Sequence, residues 1–320
     1  MTAGEALREG ARTLAGSAGG SDTPLLDASL ILAGILGISK EALYAAGPEP
    51  IDEVSLRRFR DDLARRASGL PIAYILGRKE FYGREFRVDE RVLIPRPDTE
   101  LLVEAALAEG DRIAARVASE ASAFAVAASE SRAWARATSE TGASARGILV
   151  HEACVGSGAV AVSLACERPG WSVSASDLSP GALEIAAMNA GSLVDGRRPG
   201  GRIALAPSDL LSSVEGPFHV IVANPPYVPS LEVDALLARG WGEPRMALDG
   251  GLDGLELCRS LASQAAARLL PGGALLVEAD PGQAAALREI FLHSGFDSVE
   301  TFDDLAGLER VTIGRMPWKS

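Results

Sequence analysis

His219-Val220-Ile221-Val222-Ala223-Asn224-Pro225-Pro226-Tyr227 is an apolar run that stops on an amide and two prolines. Its first five residues do not alternate with polar ones, which predicts a strand buried on both faces of a parallel sheet. The corner after it is stiff before any ligand arrives. Each proline holds its own φ at about −65° and biases the residue before it toward extended backbone. Open α/β sheets bind ligands along the carboxyl edge of their strands. This corner therefore puts a side-chain amide (Asn224) and a rigid carbonyl (Pro225) where a ligand would sit.

Those two groups suit one kind of chemistry. An amide or aromatic-amine nitrogen is a poor nucleophile because its lone pair is delocalised. Alkylating it requires both N–H groups to be held so that the lone pair faces an electrophile. The Asn224 oxygen can accept one N–H and the Pro225 carbonyl the other. Tyr227 offers a flat face for a planar group. A strand end punctuated by prolines is the plainer reading; four such residues directly after a buried strand argue against it.

Upstream, Gly147-Ile148-Leu149-Val150-His151-Glu152-Ala153-Cys154-Val155-Gly156-Ser157-Gly158 reads as a strand running into a glycine-rich turn, then an apolar helix from Ala159 to Cys166. Glu152 stands at the strand end, where it can pair with a cationic amino group. A second strand, Trp171 to Ala175, leads to Asp177, spaced from Gly156 as an acid that binds ribose hydroxyls. A third, Arg202 to Ala206, leads to Ser208-Asp209-Leu210. A nicotinamide dinucleotide loop starting at Gly156 would want glycine where Ala161 stands.

The order of these motifs, each after its own strand, resembles the class I S-adenosylmethionine-dependent methyltransferases, among which Asn-Pro-Pro-Tyr marks methylation of planar nitrogen. Further segments narrow it: Pro71 to Gly77, Glu80-Phe81-Tyr82-Gly83, Leu93 to Glu100, Glu243-Pro244, Ala247 to Gly251 and Asp253-Gly254-Leu255. Together they are similar to the bacterial release factor glutamine methyltransferases. The resemblance implies S-adenosyl-L-methionine as cofactor and, as substrate, the N5 amide nitrogen of glutamine in the Gly-Gly-Gln motif of peptide chain release factors. It implies that Asn224, Pro225, Pro226 and Tyr227 hold that glutamine, with Asn224 and Pro225 as the catalytic pair. It assigns cofactor contacts to Glu152, Cys154, Val155, Gly156, Ser157, Gly158, Asp177, Asp209, Leu210 and Asn224, and no metal. Departures are Cys154 for the first loop glycine, Glu152 for an aspartate, and Ala279-Asp280 for Ile-Gly between Glu278 and Gln283. Cys154 reads as a small loop residue, since transfer from a sulfonium needs no covalent enzyme intermediate. The alternative is an adenine-N6 or guanine-N2 nucleic acid methyltransferase, which shares the corner.

The net charge of −12 argues against a general nucleic-acid binder, whose affinity comes from neutralising phosphates. Charge is uneven: residues 57 to 96 carry +5 and the remainder −17. The basic segment is either a solvated face or a docking surface for the partner. No apolar run reaches the ~18 residues of a membrane span, and no secretory leader is evident. Three scattered cysteines suit a reducing compartment. A cytoplasmic monomer without DNA or membrane partners is the expectation. His151 and His219 end apolar runs and read as packing residues.

At 320 residues, two domains are expected. Residues 1–70 read as a helical substrate-recognition domain, with helices near 27–36 and 52–67. Residues 71–97 form a linker with a short hairpin over Phe81 to Val88. Residues 98–320 are expected to be a seven-stranded α/β methyltransferase domain, with strands near 147–151, 171–175, 202–206, 218–223, 273–279, 297–302 and 309–315. Asp98 or Thr99 is expected to cap a helix from Glu100 to Ala108. Residues 109–146, rich in Ala and Ser, read as an inserted helical or partly disordered excursion away from the site. Pro271-Gly272-Gly273 reads as a turn, and 228–255 as a long connection able to close over the target.

Overall fold

The computed structural model describes residues 1–17, 21–129, 147–194 and 203–318. The chain opens with α1 (Ala3–Ala15), α2 (Pro24–Leu36), α3 (Lys40–Ala45) and α4 (Glu53–Ala67). Thr2 and Glu5 form a reciprocal capping box on α1, and the Asp52 carboxylate accepts two N–H groups at the start of α4. The helices close around Leu14, Ile31, Leu32, Leu43 and Phe59, a core separate from that of the sheet. A short α5 (Ile72–Leu76) leads into the hairpin β1 (Arg78–Phe81) and β2 (Arg84–Arg87).

After a turn of 3-10 helix at Pro97–Thr99, α6 runs from Glu100 to Ser129. Two expectations are corrected here. Neither Asp98 nor Thr99 caps the helix; Asp98 pairs with Arg310 and the Thr99 hydroxyl faces Asn224. Nor does the helix end at Ala108. Glu109 and Ile113 are buried in it, because Glu109 accepts hydrogen bonds from Arg112 and, through both oxygens, from Arg315 of the sheet. Residues 130–146 of the Ala/Ser-rich stretch lie outside the described residues.

The sheet follows as β3 (Leu149–Ala153), α7 (Ala159–Glu167), β4 (Ser172–Asp177), α8 (Pro180–Leu193), β5 (Ala204–Pro207), β6 (Phe218–Ala223), α9 (Ser230–Ala238), α10 (Glu256–Ala266), β7 (Leu269–Glu278), α11 (Ala284–His293), β8 (Ser298–Asp303) and β9 (Glu309–Arg315). Its order is β5-β4-β3-β6-β7-β9-β8, with β9 antiparallel to both its neighbours and the other pairs parallel. Helices cover both faces over two apolar layers, one around Val150, Val222 and Leu276, the other around Ile221, Leu275 and Val277. This is the seven-stranded α/β architecture expected. The Pro271-Gly272-Gly273 turn is instead absorbed within β7: Leu269 already pairs with Phe218, and the register shifts before Val220 meets Ala274. No described helix is long and apolar enough to cross a membrane.

Candidate active site

Chain order reverses between β3 and β6, which are adjacent, while β4 lies on the far side of β3. In doubly wound sheets the ligand crevice opens at that point. Ala153 pairs with Ala223, so the glycine loop and the Asn-Pro-Pro-Tyr corner leave the sheet level with each other. Between them lies a cleft of about 350 Å³, in the size range of small-molecule sites.

Glu152, Cys154, Val155, Gly156, Ser157, Asp177, Asp209, Leu210, Asn224 and Pro226 line this cleft. Gly158, Pro225 and Tyr227 are not in its wall. Gly158 is the left-handed residue (φ +82°) that starts α7, and a Cβ there would press on Ala186 at 3.3 Å. Pro225 is buried and Tyr227 half-buried, its phenol pushed up to about 12 by burial and by the Glu278 charge.

The loop is held from below. Glu152 is buried and accepts from the Ala161 N–H at 2.7 Å. Burial, and then the nearby Asp177 charge, push its carboxyl well above the usual carboxylate range. Asp177 accepts from the N–H of Gly156 at 2.9 Å and of Ser179 at 2.8 Å; burial raises its carboxyl too. Two raised acids in one cleft would be relieved by a cation. Cys154 and Leu210 both sit in the left-handed region, at φ +59° and +50°. A glycine would take the first without strain, which is the residue the family pattern has there. Burial drives the Cys154 thiol upward, so it is not a thiolate. These features, a polyol-compatible acid at the rim and buried acid behind it, fit S-adenosylmethionine.

At the other lip, Asn224 Nδ2 donates to Glu278 Oε1 at 3.0 Å and to Thr99 Oγ1 at 3.2 Å. Among the described residues, neither the Asn224 side-chain oxygen nor the Pro225 carbonyl accepts a hydrogen bond. Gln283 Nε2 donates to the Tyr227 carbonyl at 2.9 Å and steadies the exit from the corner. Behind it, Gly250 allows a close backbone approach: a Cβ would fall 2.6 Å from the Pro226 carbonyl oxygen.

The segment 228–255 is not an open loop. It contains α9, and Val228 donates to the Leu248 carbonyl and accepts from the Gly250 N–H, which pins it to the corner. Glu243 is buried, accepts from Ile94 N and Trp241 Nε1 at 3.0 Å each, and pairs with Arg96. Pro244, Met246 and Ala247 thereby form part of the cleft wall. Sequence reasoning missed Thr99, Arg96 and Asn189 as members of the site. Asn189 is buried and donates to Ser157 O at 2.8 Å while accepting from Arg87 N, so it ties the hairpin to the glycine loop. Most arginines of the basic segment have carboxylate partners, among them Arg60 with Glu9, Arg66 with Asp27 and Arg84 with Glu167. That favours a structural reading of the charge excess. His151 lies between the Ser174 and Ser176 hydroxyls, and burial lowers it to about 4, a packing role as expected.

Residues 5–77 match the family model described as PrmC N-terminal domain, and residues 145–240 that of the methyltransferase small domain. A release factor glutamine methyltransferase of Burkholderia pseudomallei is 40% identical over 296 residues, covering 91% of this chain and 92% of its own. One of Neisseria gonorrhoeae is 38% identical over 304 residues, covering 92% and 94%. One of Cereibacter sphaeroides is 35% identical over 319 residues, covering 99% of each.

Proposed function

Because this chain belongs to the release factor glutamine methyltransferase family, we propose that its Asn-Pro-Pro-Tyr corner holds the side-chain amide of the glutamine in the Gly-Gly-Gln motif of a peptide chain release factor. The protein is a methyltransferase that uses S-adenosylmethionine. When bound, that cofactor supplies a methyl carbon on a sulfonium, and the chemistry is displacement at that carbon.

The chain's own part is orientation. The Asn224 oxygen and the Pro225 carbonyl accept the two amide N–H groups and turn the nitrogen toward the cleft. The observation that carries this reading is the pair of acceptors that have no donor among the described residues, one of them on a side chain that lines the cleft. Positioning two reactants in this way supplies roughly 7–11 kcal/mol of a barrier. An alkylated amide nitrogen is strongly acidic and releases its proton to water, so no strong base is required. Pro226 and Tyr227 complete the substrate side. Glu152 faces the cofactor's ammonium, Asp177 its ribose, and Asp209 and Leu210 its base, while residues 154–158 run beneath it.

In this reading, residues 1–70 recognise the release factor, 71–97 link, and 98–320 carry the chemistry. The enzyme acts as a cytoplasmic monomer on protein rather than DNA. Asn224→Ala tests the core of it. Turnover on unmethylated release factor is expected to fall by about 10²–10³, with little change in cofactor affinity by calorimetry. Full activity would refute the role of Asn224. Tritiated methyl transfer to DNA or RNA but not to release factor would favour the nucleic-acid alternative.

A further inference from the structure

We propose that Glu278 is a positioning residue for Asn224, setting which way round the Asn224 amide sits so that its oxygen, not its nitrogen, meets the substrate. This rests on the reading of Asn224 as the acceptor for the glutamine N–H.

The two ends of an asparagine amide have nearly the same shape, and only their partners decide which end is oxygen. The N–H end would repel a substrate N–H. Glu278 closes β7, and the register that pairs Ala223 with Val277 brings it beside Asn224. Its Oε1 lies 3.0 Å from Asn224 Nδ2. A carboxylate only accepts, so it rejects the flipped amide. Thr99 alone could not, because a hydroxyl both donates and accepts.

Glu278 is 2% exposed and does not line the cleft. Its Oε2 is buried and has no hydrogen-bond partner among the described residues. A buried acid with half its acceptor capacity unused is a poor device for stability. An apolar residue would continue the run Ala274 to Val277 without that cost. The charged and titratable groups around it are Arg310 of β9, which pairs with Asp98 and Asp304, together with Asp98 of the turn before α6 and Tyr227 of the corner. Burial pushes the Glu278 carboxyl up to about 7, with Thr99, Arg310 and Asn224 drawing it down and Asp98 pushing it up. Protonated, it can donate to the amide oxygen and so tolerates the wrong orientation; ionised, it cannot.

The test compares wild type, Glu278→Leu, Glu278→Gln and Asn224→Ala, with purified unmethylated release factor as substrate. Glu278→Leu is expected to lower kcat by about 10- to 100-fold. KM and cofactor affinity should stay within about twofold, and Tm should not fall. Glu278→Gln can donate as well as accept, like the protonated acid, so its kcat should sit at the reduced level expected of wild type on the acid side. It should also lack the decline in kcat expected of wild type as pH drops through about 7. If Glu278→Leu fails to fold, the pH profile of Glu278→Gln decides. Wild-type kcat in Glu278→Leu alongside an impaired Asn224→Ala overturns the inference and leaves the reading of Asn224 standing. So does a parallel loss of Tm, cofactor affinity and kcat, or an acidic limb that persists in Glu278→Gln. An unimpaired Asn224→Ala overturns the underlying reading itself.

Discussion

Asn224→Asp preserves the shape of the corner but replaces the NH₂ that Glu278 holds with an oxygen. Two carboxylates would then face each other across the 3.0 Å that a hydrogen bond now spans. At an effective dielectric of about 20, unit charges that close repel by about 5 kcal/mol. The folded protein can avoid this by keeping one proton between them, as paired carboxylates do. Wild type takes that proton up on Glu278 at about 7, so relative to wild type keeping it costs about 1.4 kcal/mol per pH unit above that value. The penalty relative to wild type is therefore about 1.5 kcal/mol near pH 8 and close to nothing near pH 5. The sign follows from proton binding: the folded variant holds more protons than the unfolded chain, so its stability falls as pH rises. Urea unfolding at the two pH values measures the penalty. Asn224→Asp/Glu278→Gln removes one charge of the pair and should recover more than half of the loss near the higher pH. A penalty under about 1 kcal/mol there, or one indifferent to pH, would mean that Glu278 does not face Asn224, and the positioning argument would go with it.

Three further outcomes follow from the same geometry. Asp177→Ala should raise the Kd for S-adenosylmethionine by about 10- to 100-fold, since a hydrogen bond to a charged group is worth about 1.5–3 kcal/mol; unchanged affinity by calorimetry counts against its place at the ribose. Glu109→Ala removes the buried partner that Arg315 and Arg112 share, leaving Arg315 with Glu300 and Arg112 38% exposed, and should cost about 1.5–3 kcal/mol, the worth of a hydrogen bond to a charged group. Denaturant unfolding that shows no loss would return Glu109 to the status of an insertion residue. Gly250→Ala drives a Cβ against the Pro226 carbonyl and should shift the corner, costing about 1–3 kcal/mol of stability along with most of the turnover; wild-type kinetics would show that the corner has slack.

Legibility in the sequence tracked how local each signal is. β6 and its Asn-Pro-Pro-Tyr exit were readable because a run apolar on both faces and two adjacent prolines act within a few residues. Asp177 was readable from spacing alone. Glu278 was visible only as a pattern match, since its partner is set by the β6–β7 register, which no local feature encodes. Thr99 looked like a helix cap because its neighbours suit one; the corner opposite it instead occupies its oxygen. The stretch after Ala108 looked dispensable by composition, yet Glu109 reaches Arg315 across about two hundred residues of chain. Pro271-Gly272 spelled a turn, and the sheet absorbed it because Leu269 had already found Phe218. Asn189 and Glu243 are ordinary polar residues until the hairpin and the linker fold back against them.

Mass spectrometry of a release factor co-expressed with this chain tests the central claim most directly. The peptide that contains Gly-Gly-Gln should gain the mass of one methyl group, fragmentation should place it on the glutamine side chain, and Asn224→Ala should abolish most of it. An unmodified glutamine in the presence of active, cofactor-binding protein, or a methyl group on any other residue, would contradict the account.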